Sequence, residues 1–186
     1  LRLLSEETGI REEDILDYQL YLYNFEDGMT AGAQNEILLA PRIDNLASVF
    51  ACMKALTAGR TETGLNVIAV FDNEEVGSRT KQGAGSNLLL GILERIYAAL
   101  LVEREVFLRC VNSGFFLSVD GAHALHPNQG EKYDPTNPIY INDGIVIKRA
   151  ANQAYATDAV AAGIIKEICG KNNITYQEFV NKSDSP

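Results

Sequence analysis

The sequence predicts an α/β fold, a three-layer sandwich built around a mostly parallel β-sheet. Short apolar runs of the length of buried strands alternate with longer segments whose apolar residues recur every three or four positions. Acidic residues follow several of these runs, and the carboxyl ends of strands are where open α/β sheets form their sites. The chain has 186 residues, of which 46% are hydrophobic, so it is long enough for one well-buried core.

The N-terminal part contains a broken helix and two predicted strands. Residues 1–17 have a helical pattern that Gly9 interrupts. Residues 17–25 alternate and are rich in aromatic side chains, which is typical of a strand, and residues 35–40 form a second strand candidate.

An amphipathic helix and a buried strand follow. Apolar residues from Leu46 to Leu56 recur at spacings of 3, 4 and 3, with Asp44 or Asn45 at the position of an N-cap. The β-branched run of residues 67–71 is typical of a fully buried strand.

The remaining predicted elements alternate between helix and strand. A glycine-rich segment, residues 81–86, matches no phosphate-binding pattern and is expected to give the backbone flexibility. The later elements are a helix over 87–101, a strand over 114–120, a polar surface loop over 129–142, a strand over 144–148, a helix over 158–169 capped by Thr157 and closed by Gly170, and a strand over 175–180.

Charge and cysteine content exclude several classes of protein. The net charge of −9 argues against nucleic acid and anionic membranes as partners. No apolar run reaches the roughly 20 residues that span a bilayer. Cys52, Cys110 and Cys169 lie far apart in apolar contexts, which indicates buried, reduced thiols in a cytoplasmic protein.

Three carboxylates follow the predicted strand over residues 67–71. Asp72, Glu74 and Glu75 bring like charges together, an arrangement that a bound cation stabilises. Two adjacent glutamates also suit a division of roles, in which one ligates a metal and the other transfers protons. The alternative is a solvated acidic loop.

Other polar residues lie where strands end. Asp44 and Asp120 follow two of the predicted strands and are expected to meet the glutamates, although Asp44 is equally suited to capping a helix. Lys148 ends a further strand and either faces the same pocket or points to solvent. His123 and His126 suit hydrogen bonding or substrate contact at least as well as metal ligation.

Several separate motifs, in order along nearly the whole chain, together resemble those of the M18 aspartyl aminopeptidases. These are Arg42-Ile43-Asp44-Asn45; Asp72 to Ser78 with Gly83-Ala84; Asp120 to Asn128 with His123 and His126; and Ile147-Lys148 with Asn152 to Asp158.

The resemblance implies a fold, a domain organisation and an activity. Residues 35–186 would form part of a phosphorylase/hydrolase-like zinc-peptidase catalytic domain, and residues 1–34 the tail of an inserted dimerisation domain. Members of the family are cytosolic or vacuolar homo-dodecamers that remove N-terminal Asp or Glu from peptides. They use two divalent metal ions, expected to be zinc, a water that these ions activate, and a glutamate as general base.

The resemblance also assigns roles to individual residues. Asp44 would bridge the two metal ions, with Glu75 a ligand of one ion and Asp120 a ligand of the other. Glu74 would be the general base. The residues contacting substrate would be His123, Lys148 and Tyr155, with Lys148 the partner of an acidic side chain.

The chain also departs from the family pattern. Two histidine ligands that the family takes from nearer its termini are absent, so the chain is expected to be a fragment of a longer protein. Ala154 and Gly121 replace an arginine and a methionine that relatives carry near the substrate pocket. The alternative functions are a neutral aminopeptidase or deacylase on the same di-metal scaffold, and a non-catalytic fragment with a scaffolding role.

Overall fold

The computed structural model describes residues 1–61, 63–151 and 153–180. The chain divides into two compact units, Leu1–Phe107 and Leu108–Pro186. Each unit combines helices with one small sheet, which confirms the α/β class.

The first unit contains two short antiparallel strands among helices and turns. Strands β1 and β2 pair with Thr30 opposite Leu38. The helices are α1 (Arg2–Thr8), α2 (Ile43–Ala58), α3 (Leu88–Ala99) and the start of α4 (Arg104–Ser113); the strands are β1 (Met29–Ala31) and β2 (Ile37–Leu39); two 3-10 turns cover Glu12–Asp14 and Glu74–Val76.

The predicted break in the first helix is present, but the aromatic strand after it is not. Helix α1 ends at Gly9, whose φ of 71° lies in the left-handed region that favours glycine. Residues 17–25 have no hydrogen-bonded strand partner, and their large side chains are exposed, Leu22 completely. The prediction was wrong because alternation gives a segment strand propensity, whereas a ladder also needs a neighbouring strand.

Helix α3 and the start of α4 pack against each other in the first unit. The Phe107 side chain is 1% exposed, and its ring centroid lies 5.2 Å from that of Tyr97. An ion pair between Glu94 and Arg104 also joins the two helices, at 2.6 Å. Helix α4 was not predicted, although its apolar residues 106, 107, 110 and 111 have helical spacing.

The apolar run 67–71 lies beside α3 but forms no strand in the first unit. Together with Leu88, Ile92 and Ile96 of α3 it lines an apolar groove. Val67 and Val70 remain about half exposed, so the predicted complete burial of this run is not found in the structure.

The second unit is a β–α–β arrangement. Strands β3 (Ile145–Arg149) and β4 (Tyr176–Val180) are parallel, and helix α5 (Ala159–Asn172) connects them. Both strands match the sequence prediction closely, and each begins shortly after a left-handed residue, Gly144 before β3 and Asn173 before β4. The core of the unit contains the buried side chains Ile139, Ile147, Ala150, Ala162 and Cys169.

The ends of α5 differ from the prediction. Asp158, not Thr157, is the N-cap, because its Oδ1 accepts a hydrogen bond from the Ala161 N–H at 2.7 Å. The helix runs past Gly170 and ends at Asn173 in the left-handed conformation, with φ 54°.

The segments that precede β3 are less regular than predicted. Residues 114–120 form no strand in the second unit. The loop over 129–142 contains a 3-10 turn, Gly130–Lys132, and its Tyr140 backbone exchanges two hydrogen bonds with the Gln177 side chain of β4. This pairing places the end of the loop against the parallel strands.

All three cysteines are free thiols, as predicted. Cys169 is buried and Cys52 half-buried, whereas Cys110 is exposed on α4, contrary to the expectation of burial. No helix in the described ranges 1–61, 63–151 and 153–180 has the length and apolar character needed to cross a membrane.

Candidate active site

Asp44 lies at the entry of helix α2. Arg42 adopts the left-handed conformation, and Asp44 (φ −91°, ψ 108°) and Asn45 still have non-helical dihedral angles. Regular helical geometry therefore begins after Asn45, and Asp44 stands at the junction where the sequence placed it. Its side chain is exposed in the first unit.

Glu74 and Glu75 begin a single 3-10 turn, Glu74–Val76. Left-handed residues bracket this turn, Asn73 with φ 60° and Gly77 with φ 88°. The Gly77 N–H closes it with a hydrogen bond to the Glu74 carbonyl oxygen at 2.8 Å. The turn thus presents two adjacent, exposed carboxylates directly after the apolar run 67–71.

The glycine-rich segment supports this turn by close packing. A Cβ atom on Gly83 would lie 2.4 Å from the Ser78 carbonyl oxygen, and the Gly85 N–H donates to that same oxygen at 2.9 Å. The Thr80 hydroxyl bonds to the Asn73 side chain at 3.0 Å and ties the segment to the start of the turn. The glycine at position 83 therefore permits a tight backbone approach, a different role from the expected flexibility.

Lys148 forms an ion pair with Asp120 in the second unit. The Lys148 Nζ lies 3.1 Å from Oδ2 of Asp120 and also donates to the Gly121 carbonyl oxygen. The other carboxylate oxygen, Oδ1, accepts a hydrogen bond from the Gly121 N–H at 2.9 Å. The Lys148 side chain is only 19% exposed, so the alternative in which it points freely to solvent does not hold.

Tyr155 completes this arrangement. Its ring centroid lies 5.5 Å from the Lys148 Nζ, within the range of a cation–π interaction. We call Asp120, Gly121, Lys148 and Tyr155 the Lys148 cluster. It brings together three of the residues that the sequence selected, one expected metal ligand and two expected substrate contacts.

The two histidines lie on a loop segment that its neighbours hold in place. The Tyr133 hydroxyl donates a hydrogen bond to the Ala124 carbonyl oxygen at 2.5 Å, and the Leu125 N–H donates one to the Ile139 carbonyl oxygen at 2.7 Å. His126 uses Nδ1 to accept a hydrogen bond from the Asn128 N–H at 3.2 Å, a local turn contact. His123 is exposed.

The expected metal ligands are divided between the two units. Asp44 and Glu75 lie in the first unit with Glu74, and Asp120 lies in the second with His123. Over residues 1–61, 63–151 and 153–180, no group of three or more His, Cys, Asp or Glu side chains is placed to hold a metal ion. The donor types nevertheless fit a divalent cation such as zinc, and Oδ2 of Asp120 already accepts a cationic group.

The sequence analysis did not predict a second charged cluster, which lies in the second unit and which we call the Glu178 cluster. Glu178 of β4 accepts hydrogen bonds from Lys166 of α5 and, at 3.1 Å, from Arg149 of β3. The Lys166 hydrogen bond, followed by the charges of Lys166 and Arg149, holds the pKa of Glu178 below its usual value against the opposing effect of desolvation. No sequence signal reveals this cluster, because the pairing of β3 with β4 and the contact between α5 and β4 bring its members together.

Comparison with known proteins identifies the family. A sequence profile described as "Aminopeptidase I zinc metalloprotease (M18)" matches residues 1–186. The chain belongs to the M18 aminopeptidase family. This confirms the resemblance noted in the sequence.

Two curated relatives show the extent of the similarity. A "Probable M18 family aminopeptidase 2" of Clostridium novyi (strain NT) is 44% identical over 184 residues, which cover 99% of this chain and 42% of that protein. A "Probable aspartyl aminopeptidase" of Ricinus communis is 36% identical over 193 residues, covering 100% of this chain and 39% of that protein. This M18 chain thus spans about two fifths of the length of these relatives.

Solved M18 structures share its fold. An M18 aminopeptidase from Thermotoga maritima superposes with a TM-score of 0.84 at 22% identity, covering 99% of this chain and 42% of that one. The S. cerevisiae mApe1 dodecamer superposes with a TM-score of 0.72 at 26% identity, covering 97% of this chain and 42% of that one.

Proposed function

We propose that the protein containing this chain is a zinc aminopeptidase that removes N-terminal Asp or Glu from peptides. The observation that carries the specificity is the Lys148 cluster, in which the Lys148 side chain, only 19% exposed, holds its ammonium group beside an expected metal ligand. A fixed cation next to the reaction centre suits an acidic substrate side chain. The Ricinus communis relative named an aspartyl aminopeptidase supports the same substrate class.

The proposed metal ligands from this chain are Asp44, Glu75 and Asp120. Two divalent ions, with zinc supported by the family description, would take oxygen ligands from these carboxylates. When bound, zinc supplies Lewis-acid polarisation and lowers the pKa of a coordinated water.

Glu74 is the proposed general base. It shares the 3-10 turn with Glu75, so a ligand and a base can lie side by side, one residue apart. In this role the Glu74 carboxylate accepts a proton from the attacking water and returns it to the leaving amine. The packed Ser78–Gly83 contact keeps the turn in position.

The proposed substrate contacts are Lys148, His123 and Tyr155. Lys148 pairs with the carboxylate of the substrate's first residue, while the Tyr155 ring lies against the ammonium at 5.5 Å. His123, exposed on the loop that Tyr133 and Ile139 hold, is available for a hydrogen bond to substrate.

We also propose the architecture and assembly of the whole protein. The catalytic domain of the whole protein would be a three-layer sandwich with a mostly parallel sheet, and residues 1–34 the tail of an inserted dimerisation domain. The dodecamer formed by mApe1 supports a homo-oligomer. Three free cysteines are consistent with a reducing, cytoplasmic location.

The test compares hydrolysis of Asp-, Ala- and Leu-terminated peptides by the intact protein. Lys148→Leu should lose activity toward the Asp peptide selectively, by about 10²- to 10³-fold, because it removes the charge partner of the substrate. Glu74→Gln should lower kcat for all three peptides by at least about 10²-fold.

Three results would contradict the proposal. Unchanged substrate preference in Lys148→Leu would favour the neutral aminopeptidase or deacylase alternative. Undiminished activity in Glu74→Gln would exclude Glu74 as the base, and no activity in the wild-type protein would favour a scaffolding role.

A further inference from the structure

We propose that Lys148 couples metal binding to recognition of the acidic substrate, because one ammonium group serves both Asp120 and the substrate carboxylate. This inference rests on the proposed function. It adds a thermodynamic link between metal binding and binding of the substrate side chain. Neither the metal ligands nor the contact of Lys148 with substrate implies this link alone.

Each carboxylate oxygen of Asp120 has a hydrogen-bond donor from within the Lys148 cluster. Oδ1 is oriented by the Gly121 N–H at 2.9 Å, and Oδ2 faces the Lys148 Nζ at 3.1 Å. A zinc ion bound through a carboxylate oxygen lies about 2 Å from it. A zinc ion on Oδ2 would therefore share that oxygen with an ammonium group and be repelled by it.

The contacts of Lys148 keep its ammonium group close to Asp120, so it cannot easily move away from a metal ion bound there. Its side chain is 19% exposed, donates to the Gly121 carbonyl oxygen and packs beneath the Tyr155 ring. Like charges in a partly desolvated site repel more strongly than in water. The ammonium therefore lowers the affinity of Asp120 for a metal ion while it remains unpaired with substrate.

An acidic substrate relieves the conflict. Its side-chain carboxylate gives Lys148 a second anionic partner, so that less of the lysine's charge opposes the metal at Asp120. Such coupling is reciprocal: a ligand that tightens metal binding is itself bound more tightly when the metal is present. An isosteric neutral ligand has no charge to offer and should produce no coupling.

The experiment measures zinc affinity of the intact protein by competition with a chromogenic chelator. Saturating L-aspartate should tighten zinc binding about fivefold relative to L-asparagine, which has the same shape and the same α-amino and α-carboxyl groups. Lys148→Met should bind zinc about tenfold more tightly without any amino acid and should lose the difference between aspartate and asparagine. Lys148→Arg keeps the charge and should behave like the wild type.

Lys166→Met is the matched control. Lys166 is also paired with a carboxylate, that of Glu178, and also lies near an aromatic ring, that of Tyr176 at 5.6 Å. The variant makes the same change in net charge in the same unit. Zinc affinity and its response to aspartate should both match the wild type.

The outcomes separate this inference from the proposed function. If Lys148→Met loses its preference for Asp peptides but binds zinc no more tightly, the coupling is wrong and the proposed substrate class stands. An aspartate effect that persists in Lys148→Met also overturns the coupling. A wild-type protein that binds no zinc overturns both.

Discussion

Glu178→Gln tests whether the second charged cluster stabilises the parallel strand pair. Glu178 lies on β4 between Arg149 of β3 and Lys166 of α5, so one carboxylate connects all three elements of the unit. The substitution keeps the shape of the side chain and removes its charge. Lys166 and Arg149 then both lose their ionic partner.

The expected loss of stability follows from the solvent exposure of the two ion pairs that Glu178 forms. The three side chains are between 33% and 35% exposed, so each pair is worth more than a fully exposed one but is still screened by solvent. Exposed pairs contribute about 0.2–1 kcal/mol. Two pairs on one carboxylate together should contribute about 1–2 kcal/mol to the local free energy of unfolding.

Amide hydrogen exchange in the intact protein measures this local stability. At pH 7, a loss of 1–2 kcal/mol should accelerate exchange of the protected β3 and β4 amides by about 5- to 30-fold. Glu167→Gln is the matched control, because Glu167 lies on the same helix and pairs with Lys171 at side-chain exposures of 65% and 71%. The control should change exchange less than about twofold.

The pH dependence gives a second check. Because the folded state lowers the pKa of Glu178 below its usual value of 4.5, its stabilisation is present above pH 4.5 and is lost as the pH falls through the lower, folded-state pKa. The difference between wild type and Glu178→Gln should therefore be constant near neutral pH and shrink in acid. Equal exchange rates in the two proteins at pH 7 would refute the structural role of the cluster.

Two further predictions concern single positions. Gly83→Ala should destabilise the first unit by about 1–3 kcal/mol, measured by chemical denaturation, because the new methyl group would meet the Ser78 carbonyl oxygen at 2.4 Å. Gly91 of helix α3 is the control: a Cβ atom there meets nothing within 4 Å, so Gly91→Ala should be neutral or stabilise by about 0.5–1 kcal/mol. If Gly91→Ala destabilised the protein more than Gly83→Ala, the packing role of Gly83 would be refuted. Tyr155→Leu should lower the preference for Asp over Ala peptides about two- to fivefold, because it removes the aromatic ring that lies against Lys148. Tyr155→Phe keeps the ring and should keep most of this preference. If both variants lost the preference equally, the role of Tyr155 would belong to its hydroxyl group.

The elements that could be predicted are those whose signal is local. Helices α2, α3 and α5 appear where apolar residues recur at helical spacing. Strand β3 appears where a short apolar run follows the turn at Gly144, and β4 where Tyr, Phe and Val residues follow the turn at Asn173. Residues 17–25, 67–71 and 114–120 carry equally good strand patterns. They are not strands in the structure because a ladder depends on a neighbour that the pattern does not specify.

The contacts within the candidate site could not be predicted from the sequence. Glu74 and Glu75 follow the apolar run 67–71, and Asp120 ends the apolar run 114–120, because the boundary of an apolar run is visible in the sequence. The pairing of Lys148 with Asp120 joins residues 28 positions apart, and its bond to the Gly121 carbonyl involves backbone, which no motif encodes. Asp44 and the two glutamates lie in the other unit, so their role in metal binding remains a prediction.

The two lysine–carboxylate pairs of the second unit show how strand register separates structure from specificity. In the parallel pair, Ile147 lies opposite Glu178 and Lys148 opposite Phe179, and successive side chains point to opposite faces. Arg149 therefore shares the face of Glu178, which Lys166 of α5 also reaches, while Lys148 points to the other face and meets Asp120. A shift of one residue in β3 would move Lys148 onto the face of α5 and Arg149 onto the face of Asp120. The contacts of Glu178 therefore stabilise one face of the strand pair, while Lys148 meets Asp120 on the opposite face, and this separation makes Lys166→Met a suitable control for Lys148→Met.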